Sequence, residues 1–128
     1  MVTRLTKGRL KVTISETRAE LGEVAAREVG AYIRSLLETK PEVNIIFASA
    51  PSQNDFLANL LLEEIDWSRI NAFHMDEYIG IDPHAPQAFG QFLRDRIFSK
   101  KNFKSVNYID SKAAERIVRL RSVTGPNL

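Results

Sequence analysis

The pattern of apolar and polar positions predicts that strands and helices alternate along the chain. Residues 9–15 (RLKVTIS) alternate with period two, which is typical of a short half-buried strand. Thr17 and Glu20 form a possible capping box, so a helix is predicted over 17–39, before Pro41. The face that this helix buries is predicted from apolar positions at helical spacing, which are Leu21, Ala25, Val29, Tyr32, Ile33, Leu36 and Leu37.

Later apolar runs predict three more strands and two more helices. Residues 43–48 (VNIIFA) form a continuous β-branched and aromatic run, which favours a strand that is covered on both faces. Further strands are predicted at 70–75 and 105–110, and helices at 56–65 and 88–98. Strands that alternate with helices indicate an α/β fold with a mostly parallel sheet.

The rest of the chain gives no sign of a second domain. Residues 76–87 contain Gly and Pro and are predicted to form a loop. A helix is predicted over 112–121, followed by an unstructured tail at 122–128. No linker divides the sequence, so a single domain over 1–128 is expected.

Composition narrows the class of protein. The 128 residues are 44% hydrophobic and carry a net charge of +2, which argues against disorder. The absence of cysteine excludes disulfides, thiolate catalysis and Cys-ligated zinc. There is no secretory signal and no apolar run of membrane-spanning length, so a cytoplasmic protein without a membrane partner is expected.

A cluster of basic residues is predicted to be a solvated helix face. No aromatic residues are interleaved with it in the manner of single-strand binding sites, so nucleic acid is not expected as a partner. The cluster consists of Arg94, Arg96, Lys100, Lys101 and Lys104, and Arg116, Arg119 and Arg121 give the same kind of signal.

The first candidate site follows the strand that ends at Ala48, because ligands of open parallel sheets bind beyond the carboxyl ends of strands. The segment is small and polar, and the helix after it could offer N–H groups to a phosphate. It has no glycine, so it is neither a P-loop nor a dinucleotide fingerprint. The alternative is that Ser52, Asn54 and Asp55 only cap the helix. The predicted ligand-binding residues are Ser49, Ala50, Pro51, Ser52, Gln53 and Asn54.

The second candidate site follows the strand at 70–75. His74, Asp76, Glu77 and Tyr78 stand together there, and one carboxylate could act as a general base. The alternative is a solvated loop whose Asp caps a neighbouring group. A metal site from His74, Asp76 and Glu77 is disfavoured, because no second His stands at ligand spacing. His84 is predicted to be a rim residue or to stabilise the loop, and no metal or cofactor is expected.

At Met75-Asp76-Glu77-Tyr78-Ile79-Gly80 the sequence resembles the glucosamine-6-phosphate deaminase (isomerase) family, whose pattern is an apolar strand, a Met-Asp-Glu-Tyr turn and a glycine. The order and spacing of elements over 9–110 are similar too. The resemblance implies a three-layer α/β/α sandwich of the deaminase, ribose-isomerase and CoA-transferase superfamily. It implies a ring-opened amino-sugar phosphate as substrate.

The resemblance also implies roles for individual residues. Asp76 matches the aspartate that moves a proton between C1 and C2 of the sugar. Asp76 and Glu77 are the predicted catalytic residues, and we assign Glu77 an orienting role beside Asp76. Segment 49–54 matches the substrate and phosphate loop, and Tyr78 is added to the substrate-binding residues.

Two departures from the family pattern set further expectations. Pro51-Ser52-Gln53-Asn54 stands where many members have Thr-Gly-Gly-Thr, and no segment matches the later GxNGHIAFNEP motif. The chain is therefore expected to be an N-terminal half that does not release ammonia at a family-like rate. An open sheet edge in such a fragment makes a homo-oligomer plausible. The alternatives are a non-catalytic sugar-phosphate sensor on the same fold and a 6-phosphogluconolactonase-like hydrolase, whose family carries Val-Asp-Glu-Arg.

Overall fold

A parallel sheet with helices packed against it forms the centre of the computed structural model, which describes residues 1–113. Within these residues the elements are β1 (Val2–Lys7), β2 (Leu10–Ser15), α1 (Arg18–Leu37), β3 (Val43–Phe47), α2 (Asn54–Leu60), β4 (Ile70–His74), α3 (Phe89–Leu93) and β5 (Ser105–Asn107). A 3₁₀ turn precedes α2 at Pro51–Gln53, and a π-helical turn continues α3 over Arg94–Phe98.

The predicted α/β class and parallel sheet are confirmed. The strand order is β3-β4-β5, and both pairs are parallel. Phe47 pairs with His74 at the carboxyl ends of β3 and β4, and the N–H of Met75 donates to the carbonyl of Phe47 at 3.0 Å. The two candidate site segments therefore leave the sheet side by side, at the edge where ligands of such sheets bind.

The core lies on one face of the sheet. Strand side chains that point to this face pack against the three helices, and the buried cluster is Ala26, Ile33, Leu37, Val43, Phe47, Leu57, Leu60, Trp67, Ile70, Ala72, Leu93, Ile97 and Phe98. On the opposite face Ile46 is 69% exposed, and Asn44 is exposed as well. The expectation that 43–48 is covered on both faces is therefore wrong for the part of the chain described here, since no element of 1–113 covers Ile46.

Helix α1 begins as predicted, and its predicted buried face is confirmed in part, since Ile33 and Leu37 are buried and Val29 and Leu36 pack against the core. The Thr17 hydroxyl accepts the N–H of Glu20 at 3.1 Å, which caps the helix. Leu21 and Tyr32 are exposed, and the buried residues are Gly22, Val24, Ala26, Gly30, Ile33 and Leu37. The physical reason is the close approach of α1 to α2, which requires a glycine at the contact point.

The amino-terminal strand β1 was not predicted. It pairs antiparallel with β2 through a two-residue turn that begins at Gly8, whose φ of 59° favours glycine. Arg4 on the polar face of this hairpin pairs with Glu28 of α1, whereas Leu10 and Ile14 on the other face are 64% and 50% exposed. The predicted strand at 9–15 is confirmed, but its apolar side does not face the core.

Several element boundaries differ from the predictions. Helix α2 covers 54–60 rather than 56–65, and the strand predicted at 105–110 stops at Asn107. The loop at 76–87 is confirmed. The predicted helix at 112–121 and the tail at 122–128 lie outside the described residues, apart from 112 and 113. No helix within 1–113 is long and apolar enough to cross a membrane.

Candidate functional site

The two candidate segments meet at the start of α3. The hydroxyl of Ser49 donates to the carbonyl of Phe89 at 3.1 Å, and Glu77 Oε1 accepts the N–H of the same residue at 2.9 Å. The backbone of Phe89 is therefore bonded on one side to segment 49–54 and on the other to the turn at 75–78. This arrangement fixes the relative position of the two segments at the carboxyl edge of the sheet.

Glu77 is held as an acceptor of backbone N–H groups. Oε1 also accepts the N–H of Tyr78 at 3.1 Å, and Oε2 accepts the N–H of Gly90 at 2.9 Å. Burial by itself would raise the pKa of the Glu77 carboxyl, but the N–H groups of Gly90, Phe89 and Tyr78 outweigh it and hold the pKa below its usual value. With both oxygens occupied, Glu77 fits the predicted orienting role better than proton transfer.

Glu77→Gln is expected to lower the free energy of unfolding by about 1–2 kcal/mol at pH 7, because an amide presents a single acceptor oxygen where the carboxylate presents two. The depressed pKa means that this stabilisation exists above the unfolded-state pKa of about 4.3 and is lost as the pH falls through the folded-state pKa. The difference between wild type and variant should therefore shrink on acidification. Urea unfolding at pH 7 and at about pH 3.5 measures it.

Glu64→Gln provides the matched control, because Glu64 is an exposed residue outside the site. It should change the urea midpoint little at either pH. A Glu77→Gln variant that unfolds like Glu64→Gln at pH 7 would show that the carboxylate does not anchor α3.

His74 is a structural residue in this arrangement. It is 4% exposed, and its Nε2 accepts the N–H of Ile109 at 2.8 Å. Because Nε2 is the acceptor, Nδ1 carries the proton and donates to the carbonyl of Asp76 at 3.0 Å. Both ring nitrogens are used, so His74 is not available as a metal ligand. Within 1–113 no three His, Asp or Glu side chains cluster in the manner of a metal site.

The hydrogen bond from His74 orients the backbone that carries Asp76. The Asp76 side chain is exposed, and no residue of the described part of the chain bonds to its carboxylate. Tyr78 is also exposed, and its ring lies 4.6 Å from the ring of Phe89 at an angle of 33°. Among residues 1–113, Asp76 is thus a carboxylate without a bonded partner on a fixed backbone, which is the arrangement that a general base needs.

Segment 49–54 has fewer N–H groups free to bind an anion than its sequence predicts. Pro51 has no N–H, and the N–H groups of Gln53 and Asn54 donate to the carbonyls of Ala50 and Pro51. The capping alternative is not supported either, because no side chain caps the 3₁₀ turn or α2. An anion at this segment must therefore rely on side chains and on the remaining N–H groups.

Two larger cavities flank the candidate segments, besides one of about 140 Å³ that His74, Glu77 and Arg94 line. One of about 330 Å³ lies between α1 and segment 49–54, and Ser52 and Gln53 line it together with Arg18. The other, of about 400 Å³, lies over the exposed sheet face and includes Met75, the residue before Asp76. Ser49 and Glu77 therefore meet at Phe89, whereas Ser52 and Gln53 line the cavity beside α1 and not the cavity at Met75.

Arg96 is a neighbour of the site that sequence reasoning assigned to a solvated helix face. Its Nε donates to Oδ1 of Asn54 at 2.6 Å. Its guanidinium carbon lies 3.7 Å from the centroid of the Phe92 ring. The four-residue spacing of Phe92 and Arg96 predicts their contact within one helix, but no sequence signal links Arg96 to Asn54. His84, predicted to lie at the rim, is exposed, with its Nδ1 3.4 Å from Arg94 Nη1.

Comparisons with known proteins define the class of fold first. No protein-family model matches the chain. A solved 6-phosphogluconolactonase from Plasmodium vivax superposes with a TM-score of 0.73 at 18% identity, covering 94% of this chain and 46% of that one. A solved monomeric glucosamine-6-phosphate deaminase superposes with a TM-score of 0.63 at 21% identity, covering 88% of this chain and 51% of that one. The fold is therefore the one that these two kinds of protein share.

The sequence comparison is more specific. Glucosamine-6-phosphate deaminase 2 of Bacillus subtilis strain 168 is 26% identical to the chain over 99 residues, which are 74% of this chain and 38% of the relative. The predicted resemblance to glucosamine-6-phosphate deaminases is therefore confirmed. The chain spans about two fifths of the length of the curated relatives that it matches.

Proposed function

We propose that the chain supplies part of the active site of an enzyme that converts an amino-sugar phosphate to a ketose phosphate and ammonia. The observation that carries the proposal is Asp76, an exposed carboxylate at the carboxyl edge of the sheet whose backbone is fixed by His74. Glu77 and Ser49 hold the neighbouring segment at Phe89, so a ligand at this edge meets a preformed surface.

In the proposed reaction the Asp76 carboxylate takes the C2 proton of the open-chain aldehyde. The electron pair of the C–H bond forms the C1=C2 bond of an enol-amine as the carbonyl oxygen gains a proton from the C2 ammonium group. The proton held by Asp76 then goes to C1, which leaves an imine at C2. Water hydrolyses this imine to the ketose and ammonia. A base for this step must touch the sugar and accept a proton briefly, and an unpaired carboxylate can do both.

Segment 49–54 is proposed to hold the phosphate of the substrate, with Tyr78 beside the sugar. Its polar side chains are those of Ser49, Ser52, Gln53 and Asn54, of which Ser49 also donates its hydroxyl proton to the carbonyl of Phe89. The cavity at Met75 leaves space next to Asp76. The homo-oligomer expected from the open sheet edge remains a prediction.

A lactone hydrolase is the second candidate, because 6-phosphogluconolactonases are among the solved structures with this fold. The Asp76 carboxylate favours the amino sugar. A carboxylate attracts the ammonium group at C2 of glucosamine 6-phosphate and repels the carboxylate at C1 of 6-phosphogluconate, the product of lactone hydrolysis.

Calorimetric titration of the 128-residue chain with both compounds tests this proposal. Glucosamine 6-phosphate is expected to bind at least about fivefold more tightly, equivalent to about 1 kcal/mol. Asp76→Asn should remove most of this preference. Tighter binding of 6-phosphogluconate, or a preference that the variant retains, would contradict the amino-sugar proposal.

A further inference from the structure

Arg96 projects from the π-helical turn at Arg94–Phe98 toward the beginning of α2. Its Nε donates to Oδ1 of Asn54 at 2.6 Å, across a separation of 42 residues. Arg96 is therefore tied to the last residue of segment 49–54, the segment proposed to hold the substrate phosphate.

The Arg96 guanidinium is held in place by its own helix. Its Cζ lies 3.7 Å from the centroid of the Phe92 ring, and Nη1 donates to the carbonyl of Phe92 at 3.5 Å. Stacking on an aromatic ring and a hydrogen bond at Nε restrict the side chain before any ligand arrives. A guanidinium preorganised in this way loses little conformational entropy when it binds an anion.

The charge of Arg96 is not neutralised by its neighbours. No carboxylate of residues 1–113 forms a salt bridge with it, and Nη2 makes no hydrogen bond within that part of the chain. Arg94, two residues earlier, differs because Nη1 donates to Gln91 and its guanidinium lies over Tyr108. Lys100 is exposed on the same helix end.

Segment 49–54 needs such a cation if it is to bind a phosphate. Pro51 lacks an N–H, and the N–H groups of Gln53 and Asn54 are used within the turn. The segment itself contains no Lys or Arg. A guanidinium is suited to phosphate because it presents parallel N–H donors that match two phosphate oxygens.

We propose that Arg96 binds the phosphate of the substrate at segment 49–54 and thereby selects phosphorylated over unphosphorylated amino sugars. The inference rests on the proposed function. Segment 49–54 itself has no Lys or Arg, and Arg96 would supply the positive charge from another part of residues 1–113. Asn54 acts as a positioning residue, since its amide oxygen fixes Nε, while Nη2 makes no hydrogen bond within residues 1–113.

Calorimetric titrations with glucosamine 6-phosphate and with glucosamine at low salt test the proposal on the 128-residue chain. In Arg96→Gln the affinity for glucosamine 6-phosphate is expected to fall about tenfold or more, as loss of a charged hydrogen bond gives. The affinity for glucosamine should stay unchanged. Arg96→Lys, which keeps the charge and the stem over Phe92, should recover part of the loss.

Lys100→Gln is the matched control, because it removes one positive charge from the same region without touching Asn54. It should keep the affinity for glucosamine 6-phosphate within about twofold. An equal loss in Lys100→Gln, an equal loss for both ligands in Arg96→Gln, or an Arg96→Lys as weak as Arg96→Gln would each overturn the role of Arg96.

The wild-type titrations judge the proposed function separately. If the wild-type chain binds glucosamine 6-phosphate no better than glucosamine, segment 49–54 is not a phosphate site, and both proposals fail. If the wild-type chain prefers the phosphate and Arg96→Gln retains that preference, only the assignment of Arg96 fails. Thermal melts of each variant, followed by circular dichroism, show whether the fold is retained.

Discussion

Asp76→Asn is expected to lower kcat for ammonia release from glucosamine 6-phosphate about 100-fold or more. The comparison is made in a form of the protein that is active on this substrate. The amide keeps the size and shape of the carboxylate but cannot accept the C2 proton. KM should change far less, by about fivefold, because the variant loses the attraction for the ammonium group while His74 still fixes the backbone at this position. Steady-state kinetics with an ammonia-coupled assay measure both constants.

Asp82→Asn is the matched control for this variant. Asp82 is an exposed carboxylate on the same loop, where its Oδ1 accepts the N–H of His84 at 2.9 Å. An amide oxygen can still accept this bond, so kcat should stay within about twofold of wild type. Near-normal kcat in Asp76→Asn would remove the catalytic assignment and leave Asp76 as a residue that only shapes the turn.

Gly22→Ala is expected to lower the free energy of unfolding by about 2–3 kcal/mol, the upper part of the range for overpacking. A Cβ at this position would lie 2.6 Å from the Cβ of Asp55, 2.8 Å from its carbonyl carbon and 2.9 Å from the N of Phe56. Two of these atoms belong to the backbone of α2, so α1 and α2 must separate. Urea unfolding followed by circular dichroism gives the change.

Gly30→Ala on the same helix tests the explanation. Its Cβ would meet Glu63, with Oε1 at 2.6 Å and Cγ at 2.9 Å, which belong to a side chain that can move. The gain in helix propensity of about 1 kcal/mol offsets the displacement of Glu63. The net change in stability should therefore stay within about 1 kcal/mol of zero. Equal destabilisation by the two substitutions would show that backbone contact at Gly22 is not the cause.

These two glycines explain why apolar spacing predicts only part of the buried face of α1, which includes Ile33 and Leu37. A search for apolar residues selects Leu21 and Tyr32, both of which are exposed. The helix instead turns Gly22 toward the backbone of α2, where only a residue without a side chain allows the approach, and Gly30 toward the side chain of Glu63. Glycine carries no hydrophobic signal, so the pattern misses the part of the buried face that Gly22 and Gly30 form.

The central strands could be predicted, and the amino-terminal strand could not. Residues 43–48 and 70–75 are apolar runs that are typical of strands in a parallel sheet, and the structure confirms both strands, although Ile46 is exposed. Strand β1 mixes Arg, Thr and Lys with Val and Leu. It is held by β2 and by the contact of Arg4 with Glu28, and no periodic pattern reveals either.

The candidate site was predictable in its position but not in its contacts. The rule that ligands bind at the carboxyl ends of parallel strands places Ser49 and Asp76 at one edge, and the structure brings their segments together at Phe89. The sequence could not show that Glu77 anchors α3, nor that Arg96 reaches Asn54. Both contacts join residues that are distant in sequence, and their geometry depends on the packed fold.

The central claim is that segment 49–54 and the turn at 75–78 form one site for an amino-sugar phosphate. Amide chemical shifts of the ¹⁵N-labelled chain, titrated separately with glucosamine 6-phosphate and with glucosamine, test it most directly. The account predicts that glucosamine 6-phosphate shifts the amides of both segments and that glucosamine leaves those of 49–54 unchanged. Equal shifts from the two ligands, or shifts confined to other parts of the chain, would contradict it.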